Sequence, residues 1–581
     1  MSQGGWIKGA RGAWLVGLAA MVGLALQVHS AYRNSSTYDE PTYLRVASRW
    51  WRTGNQDEIT RMGSPLTFWK LQQAPVFWLL DRTGRASLVD DPTAHEPQLL
   101  PLVRIGSLWI WLVALGVTAW WSRRLYGHRA MIFAAWLFAL SPNLLAHGML
   151  VTMEMPLVAC TVGLFAFFWK FLESGQRRWF WRAAIVCGLA SSCKYTVVVY
   201  FPILALVWWF DRWRPGSGTR PALRSAMRVA LGMVGFVLIA GLVNLVVTGF
   251  AMIPLSTTHE EHPSLIRWFG EYWGRKLARL YEMPLPQDLV GFATQLHHQA
   301  TGGASYLLGE RRMKGWWYYY FVALAVKVPI TFFALAIARV LLASRIQASN
   351  EGADQKEEIE PDEKVRSGNR HDAMLPLAIA CFLVITALGS SRNYGIRYLL
   401  PLAPLAIVWV SGLAEVTFWN RLLVPAGLIG AAFATATIHP YELTYFNVAA
   451  GGPLGGRHIL ADSNLDWGQG LIDLARLQRE RPEYQDLTLY YFGDTEPARY
   501  GVAGTHRVIR AVGDYRDLPA PESVKTRYVG VSASLQWGPW GIPGFFDRLD
   551  AVAPARMTDD TTIAIYEVSK IPLAGAGRND Q

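Results

Sequence analysis

Apolar runs near 12–31, 101–121, 130–146, 153–172, 183–193, 195–210, 228–250, 316–343, 373–390, 398–417 and 421–438 dominate this chain. About 20 helical residues cross the hydrocarbon of a bilayer, so these runs predict an α-helical polytopic membrane protein with about eleven membrane helices. Composition agrees, with 52% hydrophobic and only 17% charged residues among 581. The formal net charge of +11 would suit nucleic acid. The Lys and Arg residues, however, sit in short stretches between apolar runs rather than along one soluble face, so they read as topology signals and no nucleic-acid partner is expected. Cys160, Cys187, Cys193 and Cys381 all fall inside apolar segments without zinc-like spacing, which argues against disulfides and structural zinc.

The run 14–28 follows Lys8 and Arg11 as a signal peptide would, but no small-residue cleavage site precedes Tyr32, so it reads as a retained first helix. The fifth and sixth runs are short. Counting them as two helices around Lys194 keeps the basic stretch 211–228 on the side of Arg123-Arg124 and Arg177-Arg178, as the positive-inside rule prefers. That count puts the N-terminus in the cytoplasm. The loops 32–100 and 251–315, and everything after Pro440, then lie outside. The charged segment 344–372 reads as a cytoplasmic, disordered linker. Residues 1–438 thus form a membrane module and 439–581 a small extracytoplasmic soluble α/β domain, with strands expected at 487–492, 528–532 and 561–568 and a helix at 471–479.

Carboxylates at the edge of a bilayer are costly enough to be functional candidates. Asp39-Glu40 follows the first span, and Glu154 opens a later one on the same expected face. Each has a plainer alternative as a helix cap or dipole partner. Lys194 could be a snorkelling lysine, Arg397 an interfacial anchor beside Tyr394 and Tyr398, and His147 a helix-end partner. Asp462, Asn464 and Asp466 alternate as in a calcium loop, but Trp467 displaces the required glycine to Gly468. A cap at Asp466, or sugar stacking on Trp467 with Asp462 and Asn464 taking hydroxyls, are the other readings. The exterior clusters His259–His262 and His297-His298 lack the spacing of a hydrolytic zinc site.

Tyr38-Asp39-Glu40-Pro41, then Ser141-Pro142-Asn143-Leu144-Leu145-Ala146-His147 running on to Val151-Thr152-Met153-Glu154-Met155-Pro156, resemble the multi-spanning glycosyltransferases that use lipid-linked sugars. These are the GT-C superfamily, in the branch of protein O-mannosyltransferases and aminoarabinose transferases, glycosyltransferase family 39-like. Gly188-Leu189 through Lys194-Tyr195-Thr196, Arg397-Tyr398-Leu399-Leu400-Pro401, and the run from His439 through Asp462-Ser463-Asn464-Leu465-Asp466-Trp467-Gly468-Gln469 extend the resemblance. It implies inverting transfer of a sugar from a polyprenyl-phosphate donor, at a membrane-lipid boundary, to an acceptor protein, lipid or glycan outside the cytoplasmic membrane of a bacterium.

In that scheme Asp39 is the general base, and Glu40 and Glu154 orient it or hold a divalent cation such as Mg2+ or Mn2+. Lys194 and Arg397 bind the donor phosphate. His147, Tyr398, Asp462, Asn464, Asp466 and Trp467 are donor or acceptor contacts. The chain departs from the family pattern at Met62-Gly63-Ser64-Pro65-Leu66, where relatives carry an acid and a basic residue or His before Pro-Pro-Leu; Arg61 or Lys70 are the available substitutes. The competing expectations are a transporter or lipid flippase, with internal repeats and discontinuous helices, and a catalytically inactive envelope scaffold.

Overall fold

Proline and a charged residue, rather than length, decide where the apolar runs break. Pro142 starts a second helix after His128–Ala139 with a 62° bend, and Pro329 precedes Ile330–Leu341 after Tyr319–Lys327 with a 104° bend. Proline lacks an N–H and clashes with the preceding turn, so it begins helices and interrupts them. At Lys194 the backbone turns to an extended conformation between helix Arg177–Ser191 and the short 3-10 turn Tyr195–Val199, which leads into Tyr200–Arg212.

The computed structural model describes residues 3–55, 67–212, 219–257, 270–274, 276, 279–342, 361–416 and 420–572. Among them five helices are long and apolar enough to cross a membrane, up to seven if each bent pair is one span, and three shorter apolar helices cover Met374–Gly389, Leu402–Glu415 and Arg421–Ala436. This is a multi-pass, mostly helical fold, as expected, although these breaks leave fewer full-length spans than the eleven apolar runs suggest. Helix Pro361–Gly389 begins inside the stretch expected to be a linker, and helix Gln287–Thr301 inside the loop 251–315. The Met62-Gly63-Ser64 departure and the His259–His262 cluster lie outside the described residues.

Helix Glu96–Tyr126 is the central post. It packs against the first helix, His128–Ala139, Glu154–Ser174 and Leu402–Ser411, and the fully buried Trp111, Trp121 and Trp169 fill the spaces between. Arg177–Ser191 lies between Glu154–Ser174 and Thr219–Val247. Its Gly188 allows that approach, because a Cβ there would meet the Ala240 carbonyl oxygen at 2.5 Å.

The C-terminal part carries a five-stranded sheet in the order Thr505–Ile509, Leu487–Phe492, Tyr528–Ser532, Ile563–Glu567, Arg556–Met557. The first three strands are parallel and the last two pairings antiparallel. Helix Leu471–Glu480 packs on it through Leu471, Leu474 and Leu477.

Buried polar contacts bind this part to the membrane module. Lys327 Nζ donates to the carbonyls of Leu443 (3.0 Å) and Asn464 (2.6 Å). Glu96 accepts from Ser36 Oγ at 2.5 Å, Thr495 Oγ1 at 2.8 Å and Tyr500 OH at 2.9 Å.

Candidate active site

Asp39 occupies the N-cap position of helix Glu40–Thr53, yet its side chain makes no capping hydrogen bond. Instead its Oδ2 accepts from Arg397 Nη1 at 3.2 Å. The same Arg397 nitrogen lies 3.8 Å from Glu154 Oε1, and Lys194 Nζ reaches that oxygen at 3.1 Å. Four residues from four separate segments therefore form one chain of alternating charge: Asp39, Arg397, Glu154, Lys194. Side-chain exposures of 25% for Asp39 and 18% for Lys194, against 3% for Glu154, make the outer two accessible and put Glu154 behind them.

Tyr398 completes the arrangement, with Lys194 Nζ 4.1 Å from its ring centroid. All five residues line one cavity of about 320 Å³. Burial pushes the Asp39 carboxyl above the usual carboxylate range; Arg397 opposes this and Glu154 adds to it.

Glu40 does not join the cavity, which corrects the expectation that it acts in catalysis or metal binding. It is completely buried and paired with the equally buried Arg104, whose Nη2 donates at 2.6 Å and Nε at 3.0 Å. It also accepts from the backbone N–H of Thr37 (2.9 Å) and of Val151 (3.0 Å). Burial alone would raise its pKa, but Arg104 and these amides hold it below the usual range. Arg104 in turn donates to the carbonyls of Ala31, Asn34 and Ser35 at the end of the first helix. The Glu40–Arg104 pair thus fixes the turn that presents Asp39. A lone arginine inside the run 101–121 was the sequence signal for it.

His147 is 1% exposed with Nδ1 unbonded, and does not line the cavity. The Asp462–Trp467 loop also differs from both ligand readings. Asp462 Oδ1 accepts from Trp540 Nε1 (2.9 Å), Asn464 Oδ1 from the Ile396 N–H (2.9 Å), and Asp466 from the N–H groups of Gly468 (3.1 Å) and Ser534 (2.8 Å). These oxygens are committed to separate protein donors and do not converge as a calcium loop would require. Trp467 is 2% exposed, and the Arg397 guanidinium stacks 4.2 Å from its ring centroid. The loop therefore buttresses Arg397 from behind rather than offering a face to a sugar.

A divalent cation does not fit the donor set that is described. The two carboxylates share a guanidinium, and among the described residues no group of three His, Cys, Asp or Glu side chains is placed to hold a metal.

A second cavity of about 520 Å³ adjoins the first, sharing Tyr195, Val198 and Phe292. Its walls are largely apolar, from Val237, Leu238, Leu242, Leu245 and Leu289. At its edge Asn244 Nδ2 donates to Asp288 Oδ2 (2.6 Å), and Tyr195 OH to Asp288 Oδ1 (3.3 Å). Burial raises the Asp288 carboxyl to about 6, with the Asn244 and Tyr195 hydrogen bonds opposing. Gly291 lets helix Gln287–Thr301 close on this point, since a Cβ there would overlap the Tyr195 hydroxyl at 2.1 Å.

A family model described as dolichyl-phosphate-mannose-protein mannosyltransferase matches residues 101–245. That stretch is about a quarter of the chain. It includes His147, Glu154 and Lys194, and bears out the resemblance to lipid-linked-sugar glycosyltransferases that the motifs suggested. Among solved structures, ArnT from Cupriavidus metallidurans in the apo state is 13% identical, with 96% of this chain and 98% of that one covered and a TM-score of 0.45. The same enzyme bound to undecaprenyl phosphate is 13% identical over 98% of each chain, TM-score 0.40. The apo oligosaccharyltransferase of Archaeoglobus fulgidus is 13% identical, over 91% of this chain and 70% of that one, TM-score 0.44. No curated protein matches the chain in sequence.

Proposed function

We propose that this protein transfers a sugar from a polyprenyl-phosphate donor to a hydroxyl-bearing acceptor, with inversion at the anomeric carbon and Asp39 as general base. The observation that carries this reading is the Asp39–Arg397–Glu154–Lys194 chain lining a cavity that opens into an apolar groove. The acceptor hydroxyl gives its proton to Asp39 as its oxygen bonds to C1, and the C1–O bond to phosphate breaks with its electron pair leaving on the phosphate. Lys194 and Arg397 stabilise the developing charge of that leaving group in a water-poor site. Glu154 holds both cations in place while the site is empty. The incoming phosphate competes with it for them.

The groove beside the cavity suits a polyprenyl tail, and the family model over 101–245 supports a lipid-phosphate-linked donor. The extracytoplasmic side is favoured by charge distribution. Helix Glu154–Ser174 carries Glu154 at one end, and Arg177-Arg178 follow its other end, about 30 Å away for 21 residues at 1.5 Å each. Of the alternatives, the transporter reading predicts breaks in helices at the binding site; the breaks at Ser141 and Pro329 do not line the cavity, whereas the one at Lys194 does, so dependence of turnover on Asp39 is what separates the two readings.

The test is release of polyprenyl phosphate from a panel of polyprenyl-phosphate sugars by the protein in lipid, comparing wild type with Asp39→Asn and Lys194→Met. Turnover by wild type and its loss in both variants is expected. Equal turnover in Asp39→Asn would remove the general base, and donor binding without turnover by wild type on any donor would favour a scaffold.

A further inference from the structure

At the end of helix Glu154–Ser174 remote from the cavity, three cations converge on one indole. Lys170 Nζ lies 3.7 Å from the Trp179 ring centroid, the Arg182 guanidinium 4.5 Å and the Arg178 guanidinium 5.3 Å. Lys170 also lies 5.5 Å from the ring of Trp120. Any two of these charges are therefore within about 10 Å, the Debye length at 0.1 M salt, where repulsion is felt. Glu173, on the same turn as Lys170, is held by Arg124 at 2.9 Å, and none of the three cations makes a salt bridge among the described residues.

The local backbone adds to this excess. Arg178 and Arg182 stand in the opening turns of helix Arg177–Ser191, which has no acid in its first turn and no side-chain cap. A helix N-terminus carries partial positive charge and disfavours cations there. Topology does not require such an arrangement, because cations placed anywhere in a connecting loop satisfy the positive-inside preference. An anion bound at this point would relieve both the mutual repulsion and the helix dipole.

The surroundings specify the kind of anion. Trp181 and Ile185, 39% and 44% exposed, are one helical turn apart and form an apolar stripe beside the Arg178–Arg182 pair of the same spacing. Exposed Trp120 marks the headgroup level on the neighbouring helix.

We propose that Lys170, Arg178 and Arg182, gathered on Trp179, form a binding site for the headgroup of an anionic phospholipid on the membrane face opposite the candidate active site. The cations hold the phosphodiester and the acyl chains lie along Trp181 and Ile185. A zwitterionic headgroup brings its own cation into a site already in excess of positive charge, so net anionic lipid is preferred.

The test uses the full-length protein, delipidated in neutral detergent. Retained lipid is measured by native mass spectrometry and thermal unfolding is followed as phosphatidylglycerol, phosphatidylcholine or inorganic phosphate is added. Wild type is expected to retain phosphatidylglycerol over phosphatidylcholine and to be stabilised by it. The double variant Arg178→Gln/Arg182→Gln should weaken phosphatidylglycerol roughly thirtyfold, as for loss of two juxtamembrane cations. Arg479→Gln/Arg481→Gln, exposed in the C-terminal part, should leave it unchanged.

Lys170→Met, which keeps an apolar stem on the indole, provides a second variant should the double one unfold early without lipid. Retention of the two lipids alike, stabilisation by inorganic phosphate equal to that by phosphatidylglycerol, or wild-type phosphatidylglycerol binding by the variants would each overturn the proposal.

Discussion

Glu40 accepts the Arg104 guanidinium through both carboxylate oxygens, with two backbone amides in addition, whereas Asp39 next to it keeps its carboxylate on the cavity wall. The two acids should therefore fail in different ways when neutralised. Asp39→Asn is expected to keep its fold and its affinity for donor, and to lower kcat by about 10²–10⁴, the range for removing a general base. Because the Asp39 carboxyl sits above the usual carboxylate range, and the base works deprotonated, kcat/KM should fall as pH drops through that raised value. A pH profile whose acid limb lies at an ordinary carboxylate value would contradict this. Glu40→Gln instead leaves Arg104 buried without its counter-charge. A loss of about 3–5 kcal/mol is expected, read as a lower unfolding temperature of the purified protein, with turnover per folded molecule changed much less than in Asp39→Asn.

The loop Asp462–Trp467 acts at the scale of an element. Its Asn464 bonds the Ile396 amide, its Ser463 the Tyr394 carbonyl, and its Trp467 the face of Arg397, so one loop from the C-terminal part sets the turn that carries the arginine. Asn464→Ala should lower kcat, by about tenfold if misplacement of Arg397 costs about 1.4 kcal/mol in the transition state. It should leave the sheet intact by circular dichroism. An unchanged kcat would mean that Arg397 is held without the Asn464 bond, by Asp39, Glu154 and the Trp467 face.

Elements of this kind mark the limit of what the sequence discloses. Strands Leu487–Phe492 and Tyr528–Ser532 were legible because short runs of apolar, aromatic and β-branched residues act locally, while Thr505–Ile509 was not, since it carries three polar or charged residues at the sheet edge. Asp39, Glu154, Lys194 and Arg397 were legible as rare charges beside apolar runs. That Asn464 and Trp467 would support the site from behind depends on packing across some 70 residues of chain, which no local pattern encodes. Arg104 stood out as a lone arginine in its apolar run, but its pairing with Glu40, 64 residues away, was hidden for the same reason.

Across the whole molecule, the polar cavity and the apolar groove meet at Tyr195, Val198 and Phe292, so a single ligand can place a charged head by Lys194 and an apolar tail along helix Thr219–Val247, against the Tyr195–Val199 turn and helix Gln287–Thr301. Tail burial should then supply much of the donor's binding energy, at about 0.8 kcal/mol per buried methylene. Gly241 tests this directly. It lines the groove, and a Cβ added there meets nothing within 4 Å, while replacing glycine in a helix interior favours the helix by roughly 0.5–1 kcal/mol. Gly241→Leu is therefore expected to fold at least as well as wild type and to fill the groove. In steady-state assays its KM for a long-chain polyprenyl-phosphate sugar should rise while kcat changes little, because a tail contact is made equally in the ground state and the transition state. A donor whose tail is too short to reach Gly241 should have the same KM with either protein. If Gly241→Leu leaves the long-chain KM unchanged, the tail follows another path, and the junction at Tyr195 admits only the head of the donor.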